Sequence, residues 1–206
     1  MLYGQRESRP DKTLPVILPM KITTVAHGLN LLWEQSQTRS PGLHCSDIYN
    51  SLYQELEPTR YVVGSPPNAT KMAMGLAWET YLESLLITQG IEAKRPGEFT
   101  AKEGYVFTPD LLIDNGHSCI GEIKLTWMSS HEDISSPKFA KWMTQVKDYC
   151  YNLKIPRARF YPLYVNGNYR ERRDPELLPV DVEFSAKELQ ETHLMLMNHA
   201  RHRRML

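Results

Sequence analysis

The sequence has only three cysteines, Cys45, Cys119 and Cys150, and none of them forms a CxxC pair. Spacing this wide fits neither a disulfide framework nor a zinc knuckle, and three thiols alone cannot ligate an ordinary four-iron cluster. They are expected to be buried, reduced thiols of a cytosolic protein. Long apolar runs are missing too, so nothing approaches the roughly 18 consecutive residues of a membrane helix. The opening MLYGQRESRPDK lacks the apolar core of a secretory signal. The expected location is therefore the cytoplasm, with no membrane partner. An excess of one charge is also absent: 24 Lys and Arg balance 24 Asp and Glu. Net charge thus points to no polyanionic partner, and any electrostatic footprint must lie in how the charges are distributed. There is no internal repeat and no low-complexity segment.

What is present suits a folded domain. The chain has 206 residues, 41% hydrophobic and 23% charged, enough for one core with a small appendage. Residues 1–67 are expected to form an extended and helical N-terminal segment, and 68–206 the main unit with a C-terminal helix. Prolines 10, 15 and 19 punctuate the start, and a helix is expected from Thr24 to Gln37. After a turn at Ser40-Pro41-Gly42, Ser46 can cap a short helix carrying Ile48, Leu52 and Leu56, with His44-Cys45 as its entry. The breaker GSPPNAT precedes a long helix from Asn68 or Thr70 to Thr88. Residues 91–126 alternate as strands, with turns at Pro96-Gly97 and Asn115-Gly116. Ser136-Pro137 begins a helix to Leu153. ARFYPLYV is a strand, Gly167-Asn168 a turn, and Ser185 to His202 a final helix. This order suits an α/β fold, a mixed sheet flanked by helices.

One stretch carries the chemistry. FTPDLLIDNGHSCIGEIKLT sets Asp110, Glu122 and Lys124 among residues of a sheet interior, where isolated charges are costly to desolvate. Glu122 and Lys124 share a face, while Ile123 points away. A two-residue Asn115-Gly116 turn would pair Asp110 with Gly121 and put Glu122 on the opposite face. A three-residue loop, Asp114 to Gly116, pairs 110 with 120 and sets Glu122 diagonally from Asp110. The chemistry favours the odd-length loop, although Asn-Gly by itself favours the other. Two carboxylates, a lysine and the Ile123 carbonyl oxygen suit a hard cation such as Mg²⁺, which also keeps waters and phosphate oxygens. A solvent-facing hairpin with weak surface pairs is the plainer alternative. In KMAMGLAWETYLESLL, Met72, Gly75, Leu76, Glu79, Leu82 and Leu86 follow helical spacing, so Glu79 sits in an apolar stripe. It either reaches a metal on the sheet or pairs with an arginine. Gln145 and Tyr149 lie four apart on the flank of the helix after Ser136.

The set GxxxE (Gly75 to Glu79), PD (Pro109-Asp110), ExK (Glu122 to Lys124) and QxxxY (Gln145 to Tyr149) resembles the PD-(D/E)XK nuclease superfamily. Its flanks resemble the RecB-like and phage-exonuclease branch, over about residues 68 to 166. The resemblance implies a restriction-endonuclease-like core with an N-terminal helical extension, hydrolysing DNA phosphodiesters with Mg²⁺ or Mn²⁺ in a bacterial or phage-infected host cytosol. It implies Asp110 and Glu122 as metal ligands, Lys124 as the catalytic lysine, and Glu79 at the metal directly or through water. Gln145 and Tyr149 would support the site or the DNA strand. Several RecB-like nucleases carry a four-cysteine iron–sulfur cluster; with three scattered cysteines, none is expected here. DNA contacts are expected from Lys154, Arg157, Arg159, Arg170, Arg172 and Arg173, interleaved with Tyr161, Tyr164 and Tyr169, and from Arg201 to Arg204. An exonuclease or end-processing enzyme of recombination, repair or phage replication is the leading expectation. An inactive DNA-binding or assembly subunit and a structure- or sequence-specific endonuclease remain alternatives, as do a homo-oligomer and a recombination or replication partner protein. His131-Glu132-Asp133 lies in a polar loop and is a weak candidate for a second metal site.

Overall fold

A computed structural model describes residues 40–59, 69–114, 116, 118–132, 134–165 and 174–206. Helix α1 spans Cys45–Leu56 and α2 Ala69–Thr88, followed by short strands β1 (Ala93–Lys94), β2 (Phe99–Thr100), β3 (Val106–Phe107) and β4 (Leu111–Asp114). The long strand β5 (Ser118–Thr126) leads through a 3₁₀ turn at Pro137–Phe139 into α3 (Ala140–Leu153). Then come β6 (Arg157–Tyr164), β7 (Glu176–Leu177), β8 (Val180–Glu183) and α4 (Ala186–His202). The expected helix at 24–37, the turn at 167–168 and Arg170, Arg172 and Arg173 lie outside the described residues.

The main sheet runs β1-β4-β5-β6-β7, with β8 also on β6; β5 and β6 are parallel and the other pairs antiparallel. Alternation along β5 divides the interior. Ile120 joins Ala158 and Phe160 of β6 against α1, α3 and α4, through Ile48, Val146, Cys150, Leu196 and Met197. Ile123 points to the other face, with Leu111, Ile113 and Tyr161, under Leu82 and Leu86 of α2. The architecture is the expected mixed sheet between helices. Helix α1, assigned by sequence to the N-terminal segment, packs into the main core.

Local signals account for most element ends. Ser185 caps α4 with a full capping box to Glu188, and Ser136 accepts from Lys138 N–H before Pro137. For α1 the cap is His44 rather than Ser46. Asp47 stands at N3, and its carboxylate accepts from the His44 N–H at 3.0 Å, so the helix begins two residues earlier. Strands β7 and β8 had no counterpart in the sequence reading. They are short, lie among Pro175 and Pro179, and are recruited by the free edge of β6.

The β4–β5 register departs from expectation by one residue on each strand. Asp114 pairs with Ser118, leaving residues 115–117 as the loop, and Leu111 pairs with Gly121. The loop is three residues long, as the chemistry required, but it is centred on Gly116 (φ 78°), where glycine relieves the backbone. A Cβ at position 121 would lie 2.9 Å from Leu111 Cβ, so the glycine lets the strands close in this register. Continued by one residue, the pairing sets Asp110 directly opposite Glu122.

A buried polar hub ties the helical layer together. Asp148 of α3, fully buried, accepts from Tyr105 OH at 2.6 Å, His193 Nδ1 at 2.9 Å and Cys45 Sγ at 3.3 Å. These donors come from the loop before β3, from α4 and from α1. Burial and then Asp148 push the Cys45 thiol well above its ordinary range, so it stays protonated as a donor. The His193 ring stacks on Tyr151 at 4.0 Å.

Two stability outcomes follow from this packing. Gly121→Ala is expected to lose about 1–3 kcal/mol in denaturant titration, the usual result of overpacking a core. Asp148→Ala strands three buried donors and is expected to lose about 3–5 kcal/mol. Wild-type midpoints for either variant would contradict these assignments.

Candidate active site

Asp110 lies at the mouth of β4, where the chain has left its ladder with β5. Its Oδ2 accepts from the Ile123 N–H at 2.7 Å, replacing the missing ladder bond. A strand residue points its N–H and C=O to the same side, so the Ile123 carbonyl also faces Asp110. Glu122 is fully buried on the face toward α3. Its Oε1 accepts from Lys124 Nζ and from Gln145 Nε2, the latter at 2.8 Å. The same Gln145 amide reaches the Tyr149 hydroxyl at 3.0 Å. Gln145 and Tyr149 are both buried, one turn apart on α3, so the helix face supports the carboxylate from above.

The other oxygen of Glu122 has no hydrogen-bond partner although it is buried. A carboxylate in that position is unfavourable unless a proton or a cation satisfies it. Burial first, and Asp110 second, push the Glu122 carboxyl up to about 8. Asp110 is raised as well, chiefly by burial, with Lys124 and the Ile123 hydrogen bond opposing. Glu122 and Asp110 together outweigh burial at Lys124 and hold its ammonium above the ordinary lysine range. Two raised carboxyls, an orphaned oxygen and a carbonyl facing the same side fit a hard divalent cation, which needs only one or two carboxylates and takes its remaining ligands from water and phosphate. Among the described residues, no three His, Cys, Asp or Glu side chains gather as a ready-made ligand set.

No family model matches this sequence, and no curated protein matches it. Its structure is similar to a phage-related exonuclease from Haemophilus somnus 129PT, at 12% identity and TM-score 0.50, covering 84% of this chain and 95% of that one. It is also similar to an alkaline exonuclease from Laribacter hongkongensis, at 14% identity and TM-score 0.50, covering 84% and 91%. At these identities the likeness is one of fold alone, an α/β sheet flanked by helices.

Within this fold, Glu79 occupies a position between the two alternatives that its sequence left open. It is near enough to Asp110 for that carboxylate to raise its proton affinity, after burial. Its carboxylate also lies 3.4 Å from Arg95, which Glu83 holds at 2.7 Å. Arg95 had no signal in the sequence; it enters the site because β1 runs beside β4. The helix stripe that was read as core is only partly so. Leu82 and Leu86 are buried, whereas Met72 and Leu76 are exposed among the described residues.

Among the described residues, Arg157 and Arg159 of the expected basic footprint do not face the acids. On β6, Ala158 and Phe160 share the face of Glu122, so Arg157 and Arg159 project from the opposite face, Arg159 level with Gly121. Arg159 forms a fork with Asp181, at 2.8 Å for Nη2. Tyr161 and Tyr164 are 3% exposed and belong to the interior, so neither offers a ring to a base. Arg203 is held by Glu55 at 2.7 Å, in the layer of α1 and α4. Glu132 pairs with Lys138, and Asp133 lies outside the described residues. Trp142 packs on Phe139 at 4.8 Å, while Trp127 is partly exposed under Lys71.

The raised carboxyl of Glu122 makes stability depend on pH. Its folded state binds the proton more tightly than the unfolded chain, whose value is near 4.5. The resulting stabilisation is complete below that value and is lost as pH rises through about 8. Metal-free protein is therefore expected to melt at progressively lower temperature across this window, and Glu122→Gln to flatten the dependence. An unchanged slope in differential scanning calorimetry of the variant would refute the assignment.

Proposed function

We propose that the chain is a metal-dependent deoxyribonuclease that hydrolyses phosphodiester bonds, acting as an exonuclease or end-processing enzyme in recombination, repair or phage replication. The observation that carries this reading is the orphaned, buried Glu122 oxygen opposite Asp110 and beside Lys124. Its support from similarity is the fold, shared with two proteins named as exonucleases.

Asp110 and Glu122 would hold Mg²⁺ or Mn²⁺, with the Ile123 carbonyl beside them and Glu79 assisting directly or through water. Such a cation, when bound, supplies Lewis acidity to the phosphate and increases the acidity of water. The remaining work falls to the chain. Asp110 and Glu122 are prepositioned by the Ile123 N–H and by Gln145, so the site needs little rearrangement at the moment of reaction. Lys124 stays charged beside the acids and is placed to meet the negative charge that builds on the phosphate. Tyr149 orients Gln145, which in turn fixes the rotamer of Glu122. Burial of Glu122, Gln145 and Tyr149 between α3 and the sheet limits the water that reaches these groups, which strengthens each electrostatic contact.

Purified protein incubated with linear and circular duplexes, with Mg²⁺ or EDTA, tests the proposal. Degradation of linear DNA alone, dependent on Mg²⁺, is expected. Discrete fragments from circular DNA would indicate an endonuclease, and binding without cleavage an inactive subunit. Lys124→Ala is expected to lower hydrolysis by at least about 100-fold while DNA binding persists. Asp110→Asn is expected to weaken divalent-ion binding by about tenfold or more in titration calorimetry. Full cleavage by the first variant, or unaltered ion affinity of the second, would remove those roles.

A further inference from the structure

Helix α2 carries a glycine that the packing of the chain does not call for. Gly75 lies inside Ala69–Thr88, where glycine is the least favourable residue after proline. Lys71, Gly75, Trp78 and Leu82 stand at i, i+4, i+7 and i+11 and share one face of the helix. That face is anchored on β5 at two points. Leu82 shares the core cluster of Ile123, and Lys71 Nζ lies 5.3 Å from the ring centroid of Trp127, just past the end of β5. Gly75 lies between these anchors, yet a Cβ added there would meet no atom within 4 Å among the described residues. The helix therefore stands off from the sheet at this point, and the missing side chain leaves a gap.

Two indoles border the gap. Trp127 follows β5 directly and stands about 10 Å along the strand from Lys124. It belongs to neither core cluster and remains 39% exposed, whereas Trp78 and Trp142 pack against the interior. An aromatic ring left open beside the acidic centre forgoes the stabilisation of burial, so packing does not account for it. Trp78 stands one turn from Gly75 on the same face, and its buried indole N–H has no acceptor among the described residues. A buried donor of that kind is costly until a ligand or water satisfies it. The near end of the gap lies one turn from Glu79, and Met72 and Leu76 beside it are exposed.

We propose that the gap over Gly75 takes the nucleotide next to the scissile phosphate, with its base stacked on Trp127. The bare helix at Gly75 lets the sugar approach the backbone closely, and the Trp78 N–H donates to an oxygen of the same nucleotide. This role rests on the nuclease reading above and deepens it, since an indole can stack only on a base that has left its pair and its neighbours. The substrate at the site is then a strand with an unpaired base beside the bond that is cut. Every base offers such a face, so the contact secures affinity and register without selecting sequence.

The test uses the full chain and linear duplexes carrying 2-aminopurine at successive terminal positions, with Ca²⁺ in place of Mg²⁺, and then steady-state degradation in Mg²⁺. Stacking on Trp127 is expected to quench the fluorescence of one position several-fold. Trp127→Ala should abolish that quenching and raise KM about tenfold while kcat changes by less than about twofold, and Trp127→Phe should restore most of both. Gly75→Leu is an independent arm that a structural role would not move in the same direction. Leucine favours a helix over glycine and meets open space, so the melting temperature should equal or exceed that of the wild type, yet KM should rise about tenfold. Leu194→Ala, exposed on α4, serves as the control with wild-type behaviour. Should Trp127→Ala melt early, Gly75→Leu and the quenching in the wild-type complex decide the matter. A wild-type KM in folded Gly75→Leu, or no quenched position, with wild-type protein degrading DNA normally, would overturn the role of the gap alone. A wild-type protein that neither binds nor degrades DNA would overturn both this role and the nuclease reading.

Discussion

The arrangement around Glu122 is the constraint on which the rest depends. A carboxylate with no exposure has one oxygen satisfied twice, by Lys124 and Gln145, and the other not at all. A structure built only for stability would place an apolar residue there, since a half-satisfied buried charge is worse than none. The surroundings instead maintain the defect. Asp110 stands opposite and raises the proton affinity further, while Lys124 keeps the group from becoming wholly untenable.

Much of the fold serves to hold that arrangement. Gly121 permits the close approach of β4 and β5, which fixes Asp110 opposite Glu122. The exit of β4 from the ladder frees the Ile123 N–H for the Asp110 side chain. On the helical side, the distance from α3 to the sheet decides whether Gln145 reaches Glu122. That distance is set by Val146 and Cys150 in the core and by Asp148, which binds α3 to α1, α4 and the loop before β3. Asp148 and Gln145 are thus consecutive parts of one helix, the first anchoring it and the second acting for the site.

The charge distribution separates two kinds of basic residue. Arg159 and Arg203 are engaged by Asp181 and Glu55 and contribute to joining elements. Lys124 is engaged by Glu122 beside Asp110 and belongs to the acidic centre.

The sequence alone determined the kinds of element and the acidic constellation. Period-two alternation around Glu122 and Lys124 and the Ser136-Pro137 and Ser185 caps were sufficient for the α/β architecture and for one face shared by Glu122 and Lys124, whereas the side taken by Asp110 hung on a turn left open and the place of Gln145 and Tyr149 came only from the family resemblance. Alternation and caps are local properties, carried by neighbours in the chain. The register of the hairpin, the fate of Arg157 and Arg159, the interior position of Tyr161 and Tyr164, strands β7 and β8 and the Asp148 hub were decided only by tertiary structure. Each depends on which distant partner a face meets, and linear spacing holds no information about that partner. A one-residue shift at Asp114 leaves every hydrophobic period intact, yet it moves Asp110 from a diagonal position to one directly opposite Glu122.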